Sequence, residues 1–209
     1  MALTINGQDS AGYGLRCISV SITAPEKKTE WVNIPGGDGE VDLTKGICPP
    51  RYNMRTVSIV FESIDKDTLT TGRRILQAWE GETLILELPG YDGYTITGVA
   101  HVDGYGWRPG DPISVAVLVS PWFLAKQETV VEGTGTPEGV EVILANAGKR
   151  EAVPEVEVTL TTRIVLEGKS TNLTPGKYLM PDYMITGGNE IHLMIYDGAA
   201  TFRYREAIL

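Results

Sequence analysis

The chain has 209 residues, and 18 lysine and arginine residues against 27 aspartate and glutamate residues give it a formal net charge of −9. Its hydrophobic fraction of 42% is typical of a folded globular protein and excludes a disordered chain, and no apolar run approaches the ~18 residues of a membrane helix. The acidic balance argues against a protein that binds nucleic acid through its phosphates, so sequence-specific nucleic-acid binding is not expected.

Six segments alternate apolar and polar residues with a period of two. In chain order their apolar positions are Ile18, Val20 and Ile22; Val57, Ile59 and Phe61; Leu84, Leu86 and Leu88; Ile113, Val115, Val117 and Val119; Val156, Val158 and Leu160; and Ile191, Leu193 and Ile195. Turn motifs rich in Gly, Pro and Asp separate many of them, as at 35–39, 89–93 and 196–198. This pattern is typical of antiparallel sheets packed face to face.

One segment departs from the alternation. Residues 67–80 place Leu69, Leu76 and Trp79 on one helical stripe, an acidic residue before it can cap its start, and Gly81 can end it. The sequence therefore predicts one short amphipathic helix near 66–80 in an otherwise all-β protein.

The composition changes about two thirds of the way along the chain. All four tryptophans precede residue 123, and residues 132–139 are rich in Gly, Thr and Pro. We therefore expect two β domains, residues 1–125 with the helix and residues 126–209, both within the normal range of domain sizes.

The sequence offers little for catalysis or metal binding. His101 and His192 lie in no catalytic signature, and Cys17 and Cys48 show none of the close pairing of a zinc site, so two unpaired thiols are expected. Asp38, Glu40 and Asp42 would share one face of a strand, but the segment lacks the central glycine of a calcium loop. We expect no catalytic residues, no cofactor and no metal.

Two neighbouring segments carry a resemblance to a known family. Residues 32–44 read Val-Asn-Ile-Pro-Gly-Gly-Asp-Gly-Glu-Val-Asp-Leu-Thr, and residues 51–61 read Arg-Tyr-Asn-Met-Arg-Thr-Val-Ser-Ile-Val-Phe. Together with the helix that follows, they resemble the phage distal tail (Dit) proteins, the hubs of siphophage tail tips and baseplates. Further similarity to this family lies at 146–148, 154–158, 188–191 and 201–206. Gly37 is a departure, since Arg or Lys is common there in the family.

The resemblance implies an architecture and a role. It implies an amino-terminal β-sandwich with one helix that forms a homo-hexameric ring, and a second β-sandwich that is galectin-like or similar to a carbohydrate-binding module. The ring would join the tail tube protein and the end of the tape-measure protein to tail-associated lysin or baseplate proteins, around a channel for DNA. The protein would belong to the virion tail and be assembled in the cytoplasm of a bacterial host.

The glycine-rich turn and the strand after it are the expected subunit contacts. Gly residues there permit tight turns that project a hairpin toward a neighbour, and the interface candidates are Gly36, Gly37, Asp38, Gly39, Asp42, Arg51 and Tyr52. The alternative at these positions is that Asp42 and Arg51 only order their own loop.

Two other functions stay open from the sequence. The chain could be a carbohydrate-binding module that attaches a virion or a cell-wall enzyme to a host glycan through its carboxy-terminal domain. It could also be a β-sandwich glycosidase, although 27 acidic residues make chance carboxylate pairs common.

Overall fold

The computed structural model describes residues 3–29, 31–33, 40–42, 51–63, 66–104 and 108–209. The chain divides into two compact parts, Met1–Pro121 and Trp122–Leu209, here called unit 1 and unit 2. Within the described ranges, no helix has the length and apolar character needed to cross a membrane.

Unit 1 is built mainly from antiparallel strands. Its elements are β1 (Thr4–Ile5), β2 (Gln8–Asp9), a 3-10 helix (Ser10–Tyr13), β3 (Arg16–Ile22), β4 (Trp31–Asn33), β5 (Glu40–Asp42), β6 (Arg55–Glu62), α1 (Lys66–Trp79), β7 (Thr83–Glu87), β8 (Tyr94–Gly104) and β9 (Ile113–Val119). The main sheet runs in the order β2-β1-β7-β8-β9-β6-β3, while β4 and β5 pair only with each other in the described part of the chain.

The core of unit 1 lies on one face of this sheet. The apolar rows predicted in β6 and β9 are buried there, and Leu69, Leu76 and Trp79 of α1 are buried as well. The Trp79 ring stands edge-on to Tyr13 with centroids 5.2 Å apart and lies 6.4 Å from Phe61. Burying each such side chain contributes about 1.5–3 kcal/mol, so α1 is held by packing.

Gly81 ends the helix as the sequence predicted. Its φ of +77° is a left-handed conformation that glycine adopts without strain. The Gly81 amide then donates to the carbonyl of Ala100 in β8, 2.9 Å away, which turns the chain toward the sheet.

The prediction for the first alternating segment was wrong at Ile18, whose side chain is exposed. The register between β3 and β6 shifts between Cys17 and Ser19, so Ile18 is the extra residue of a β-bulge. The bulge reverses the alternation, and Cys17 instead takes the core position, opposite Phe61.

Unit 2 is a β-sandwich. Its elements are β10 (Phe123–Ala125), β11 (Thr129–Thr134), β12 (Val140–Ala145), β13 (Glu155–Val158), β14 (Thr162–Leu166), β15 (Lys169–Leu173), β16 (Gly176–Leu179), a 3-10 helix (Pro181–Tyr183), β17 (Glu190–Tyr196), β18 (Ala199–Tyr204) and β19 (Ala207–Ile208). Two antiparallel sheets, β11-β18-β13-β16 and β12-β17-β14-β15, share one apolar core that includes Phe202, Ile164 and Leu193. The predicted all-β class with one short helix is confirmed.

The segment predicted around Val156 ends earlier than expected. β13 stops at Val158, and Leu160 is exposed because the chain turns there into β14. The buried Thr162 hydroxyl donates to the carbonyl of Leu160 at 2.7 Å and fixes this turn. Alternation alone cannot show where a strand stops, so Leu160 was wrongly predicted as a core residue.

Candidate functional site

The segment between β3 and β6, residues 23–54, is here called the arm, and its residues 23–29, 31–33, 40–42 and 51–54 are described. At its base, the Thr23 amide donates to the Thr56 carbonyl at 3.0 Å, and the Thr56 amide donates to the Thr23 hydroxyl at 3.0 Å. Farther out, the Asn53 amide donates to Glu26, and Lys27 is bridged to Tyr52. The ladder of β3 and β6 therefore continues beyond the sheet into the arm.

A buried arginine fastens the base of the arm. Arg55, the first residue of β6, is only 4% exposed. Its Nε donates to the Thr23 carbonyl at 2.7 Å, and its Nη1 donates to the carbonyl of Pro121 at 3.5 Å. Buried charges are costly unless they are hydrogen-bonded, so these contacts offset part of the cost of burying the guanidinium and join the segment after β3 to the start of β6.

The predicted interface residues fall on this arm, and part of them can be placed. Gly36, Gly37, Asp38 and Gly39 lie outside the described residues. The Asp42 backbone is in β5, opposite Trp31 of β4. Arg51 is exposed and its carbonyl accepts from the Lys28 amide at 2.9 Å, while Tyr52 is half-buried. Their role as subunit contacts stays a prediction.

The described part of the arm exposes an aromatic side chain and charged side chains. Trp31 is 55% exposed, and Glu26, Lys27, Lys28 and Arg51 are exposed as well. Exposed tryptophan and arginine are the residue types enriched at binding hot spots. The arm therefore presents a surface suited to contact with another protein.

Both histidines lie on strands and face solvent. Nδ1 of His101 lies 3.3 Å from Glu80, whose other oxygen accepts from the Val102 amide at 2.7 Å. That amide, and next the histidine, lower the pKa of Glu80. His101 is thus held by the carboxylate of Glu80, and His192 likewise lies within hydrogen-bond distance of Glu141 and Glu190.

The outward face of the β12-β17-β14-β15 sheet carries polar side chains. Arg163 lies over the ring of Tyr196, with its Cζ 4.2 Å from the ring centroid, and Asn172 is its neighbour across the strand pair. Among the described residues, Arg163 forms no ion pair with a carboxylate. Its guanidinium donors therefore face solvent above an aromatic ring.

A histidine between two carboxylates lies on the same face. Nδ1 of His192 is 2.8 Å from Glu141 and Nε2 is 3.3 Å from Glu190, and the hydrogen bonds to Glu141 and then Glu190 raise the pKa of His192. A cleft of about 430 Å³ at the ends of β12 and β17 is lined by Ala145, Asn146, Ala147, Gly188, Asn189 and Glu190. Within the described ranges, no group of three or more His, Cys, Asp and Glu side chains could hold a metal ion.

The similarity to solved structures extends over essentially the whole chain. No family model matches the sequence, and no curated protein matches it. Among solved structures, the SPP1 Dit (gp 19.1) protein, described as a paradigm of the hub adsorption apparatus in phages that infect Gram-positive bacteria, superimposes with a TM-score of 0.67. The alignment covers 100% of this chain and 99% of that one at 13% sequence identity. The chain has the Dit fold.

A second solved structure is also similar. The phage p2 baseplate in its activated conformation with Sr aligns over 98% of this chain and 97% of that chain at 8% identity. Its TM-score of 0.43 is too low to show that the two chains share a fold.

Sequence reasoning missed several side chains that shape the surfaces of this Dit fold. Arg55 lay within the quoted motif, but no period-two pattern says that a charged residue is buried. Trp31 is exposed although it is a large aromatic residue in a strand, and the sequence carries no signal for that exposure. Arg163 and Tyr196 are far apart in sequence and meet only through the pairing of β14 with β17.

Proposed function

We propose that the chain is a phage or prophage-derived distal tail protein, a structural hub that forms a hexameric ring between the tail tube and the tail tip. The observation that carries this proposal is the agreement with SPP1 Dit over essentially the full length of both chains. Agreement over the full length includes the residues of both units, so the likeness does not rest on a common sandwich alone.

The geometry of unit 1 supports assembly into a ring. β3 and β2 stand at the two ends of the main strand order in the described chain, and such edges invite pairing with another chain. The described part of the arm adds an exposed aromatic residue, Trp31, and Arg55 forms a hydrogen bond at the base of the arm. A closed ring would cover both kinds of surface while leaving every subunit equivalent.

The partners follow from this placement. The ring would contact the tail tube protein and the end of the tape-measure protein on one side, and tail-associated lysin or baseplate proteins on the other. Its channel would pass DNA, and the net charge of −9 per copy would disfavour adhesion of the phosphate backbone. We place the protein in the virion tail, after assembly in the host cytoplasm.

Native mass spectrometry of the purified chain at several concentrations tests the ring. Six copies of 22.7 kDa give about 136 kDa, and we expect this species to dominate as concentration rises. A chain that stays at the monomer mass up to the highest soluble concentration, and in the presence of tail proteins, would contradict the proposal.

A second candidate function, binding of a host glycan by unit 2, is favoured by the surroundings of Arg163. Planar guanidinium, amide and carboxylate groups form paired hydrogen bonds with neighbouring hydroxyls, and an aromatic ring packs on the apolar face of a sugar. Arg163 supplies the guanidinium, Asn172 the amide and Tyr196 the aromatic ring, all on one exposed face of the sheet.

A glycan array separates this candidate from a purely structural unit 2. We expect saturable binding by the wild type that weakens at least tenfold in Arg163→Ala, roughly the effect of losing charged hydrogen bonds. Arg203→Ala is the matched control, because Arg203 lies on the other sheet and pairs with Glu157 at 3.7 Å. Absence of binding to every glycan removes the candidate and leaves the hub proposal intact.

A further inference from the structure

The outermost strand of one sheet in unit 2 turns main-chain groups away from the sheet. β16 is the last strand in the order β11-β18-β13-β16. The Met180 amide donates to the Pro154 carbonyl at 3.1 Å, one residue beyond the register of β16 with β13. Hydrogen bonds in an antiparallel pair join every second residue, so the main chain of Tyr178 also faces β13. The amides and carbonyls of Lys177 and Leu179 therefore point away from β13.

These main-chain groups form a free edge, a name kept here for Lys177 and Leu179 of β16. Within unit 2, whose residues are all described, no strand pairs with that side of β16, and both residues are exposed. A row of open donors and acceptors is a template for pairing with one more strand.

Three exposed apolar side chains lie beside the free edge. Leu179 is 69% exposed, Met184 is 40% exposed and Val153 is 37% exposed. The register of β13 with β16 places Leu179 near Val153, and the bridge between Ala152 and Ile185 places Met184 beside Val153. We call Val153, Leu179 and Met184 the apolar corner.

The charged side chains on the same face of β13, β16 and β18 balance one another. Nζ of Lys177 lies 3.8 Å from Glu155 and 3.6 Å from Glu157. The Arg203 guanidinium lies 3.7 Å from Glu157. These two cations and two carboxylates are all the charged residues at the outward positions of the three strands. Charge complementarity therefore favours a partner that is uncharged where it meets this face.

We propose that the free edge binds an extended segment of another protein as an added strand, and that an apolar side chain of this segment packs on the apolar corner. Main-chain hydrogen bonds to Lys177 and Leu179 would hold the segment, and the apolar corner would select its side chains at alternate positions. A folded surface would leave the open main-chain groups without partners, whereas a strand pairs with them. The site is on the other sheet from Arg163, so it is separate from the glycan candidate, and it does not depend on the ring.

Selection of random peptides displayed on yeast, with the purified full chain as the target, supplies a probe. We expect the recovered peptides to alternate apolar and polar residues and to carry little charge. N-methylation removes one main-chain donor of a synthetic peptide at a time. Binding should weaken roughly tenfold at every second residue and stay unchanged between them. A library without binders, or an effect that does not alternate, overturns the proposal.

Hydrogen exchange resolved to single amides locates the bound peptide. We expect the peptide to slow exchange at the amides of Lys177 and Leu179, while the Tyr178 amide, bonded to β13, exchanges slowly from the start. Protection confined to other parts of the chain overturns the proposal. Protection of these two amides that appears on concentrating the chain without peptide also overturns it, because a second copy then occupies the edge.

Substitutions at Leu179 separate the two parts of the site. Leu179→Pro removes an outward donor at an edge position, where proline is tolerated, and Leu179→Lys places a charge in the apolar corner. Each should weaken peptide binding roughly tenfold or more. Leu160→Lys, at a leucine that is 63% exposed in the turn after β13, is the matched control and should bind as the wild type does. Thermal unfolding identifies the folded variants, and wild-type affinity in a folded Leu179 variant overturns the proposal.

Discussion

Arg55 can be buried in unit 1 because backbone carbonyls receive its guanidinium. The carbonyl of Thr23 lies 2.7 Å from Nε, and this contact joins the end of β3 to the start of β6. Arg55 shares the buried face of β6 with Val57, Ile59 and Phe61 and is the charged residue among them. At the residue scale, we therefore expect the position of the arm to depend on this side chain.

Replacing Arg55 by Met tests this dependence. The change keeps much of the apolar stem and removes the donors, so we expect the free energy of unfolding to fall by about 1–3 kcal/mol. Arg74→Met, on the exposed side of α1, is the control and should change it by less than about 0.5 kcal/mol. Chemical denaturation measures both, and equal stabilities for the two variants would count against the role of Arg55.

His192 makes the stability of unit 2 depend on pH. Hydrogen bonds with Glu141 and Glu190 raise its pKa above the ordinary 6.5 in the folded state. The protonated form therefore stabilises the fold fully below pH 6.5, and this contribution is lost as pH rises through the higher folded pKa.

An NMR titration of the His192 ring measures the folded pKa directly. We expect a midpoint above 6.5 in the wild type and a lower midpoint in Glu141→Gln, which removes the principal carboxylate partner. A wild-type midpoint at or below 6.5 would show that the carboxylates do not hold the charged ring.

At the element scale, the period of the sequence predicted most of the strands and the helix. Each of the elements β6, β7, β9, β17 and α1 turns one face toward a core. The apolar residues predicted for that face lie on it. The failures at Ile18 and Leu160 have different origins: the bulge at Ile18 is set by pairing with β6, whereas Leu160 lies in a turn closed locally by the Thr162 hydroxyl.

At Gly72, α1 lies close against the buried Leu15 side chain. Gly72 is buried in the middle of the helix, and a Cβ there would lie 2.6 Å from Cδ2 of the fully buried Leu15. We expect Gly72→Val to lower the free energy of unfolding by about 1–3 kcal/mol, as overpacking does.

Thr71→Val, one residue earlier on the exposed side of α1, introduces the same side chain without the contact. It should leave the melting temperature nearly unchanged. Adding Leu15→Ala to Gly72→Val should recover part of the clash energy, and a double variant whose loss equals the sum of the two single losses would rule out this explanation.

At the scale of the whole molecule, the sequence predicted two β-rich parts but not the surfaces that they present. The Gly-, Thr- and Pro-rich residues 132–139 that suggested a division lie inside unit 2, in β11 and the turn after it, while the division itself falls between Pro121 and Trp122. The base of the arm depends on how β3 pairs with β6, two segments far apart in sequence, so single-sequence patterns could not find it.

Unit 2 contains a complete apolar core of its own. We therefore expect residues 122–209, expressed alone, to unfold cooperatively and to give a dispersed NMR spectrum. A fragment of residues 140–209 is the control, because it lacks β11, which pairs with β18 over six residues. A disordered spectrum for 122–209 would show that unit 2 needs the rest of the chain.

Electron microscopy of the purified assembly tests the central claim most directly, because it shows symmetry and shape together. We predict particles with six-fold symmetry and an opening along the axis wide enough for a DNA duplex. Two-fold dimers, or a closed particle without an axial opening, would contradict a ring-shaped tail hub.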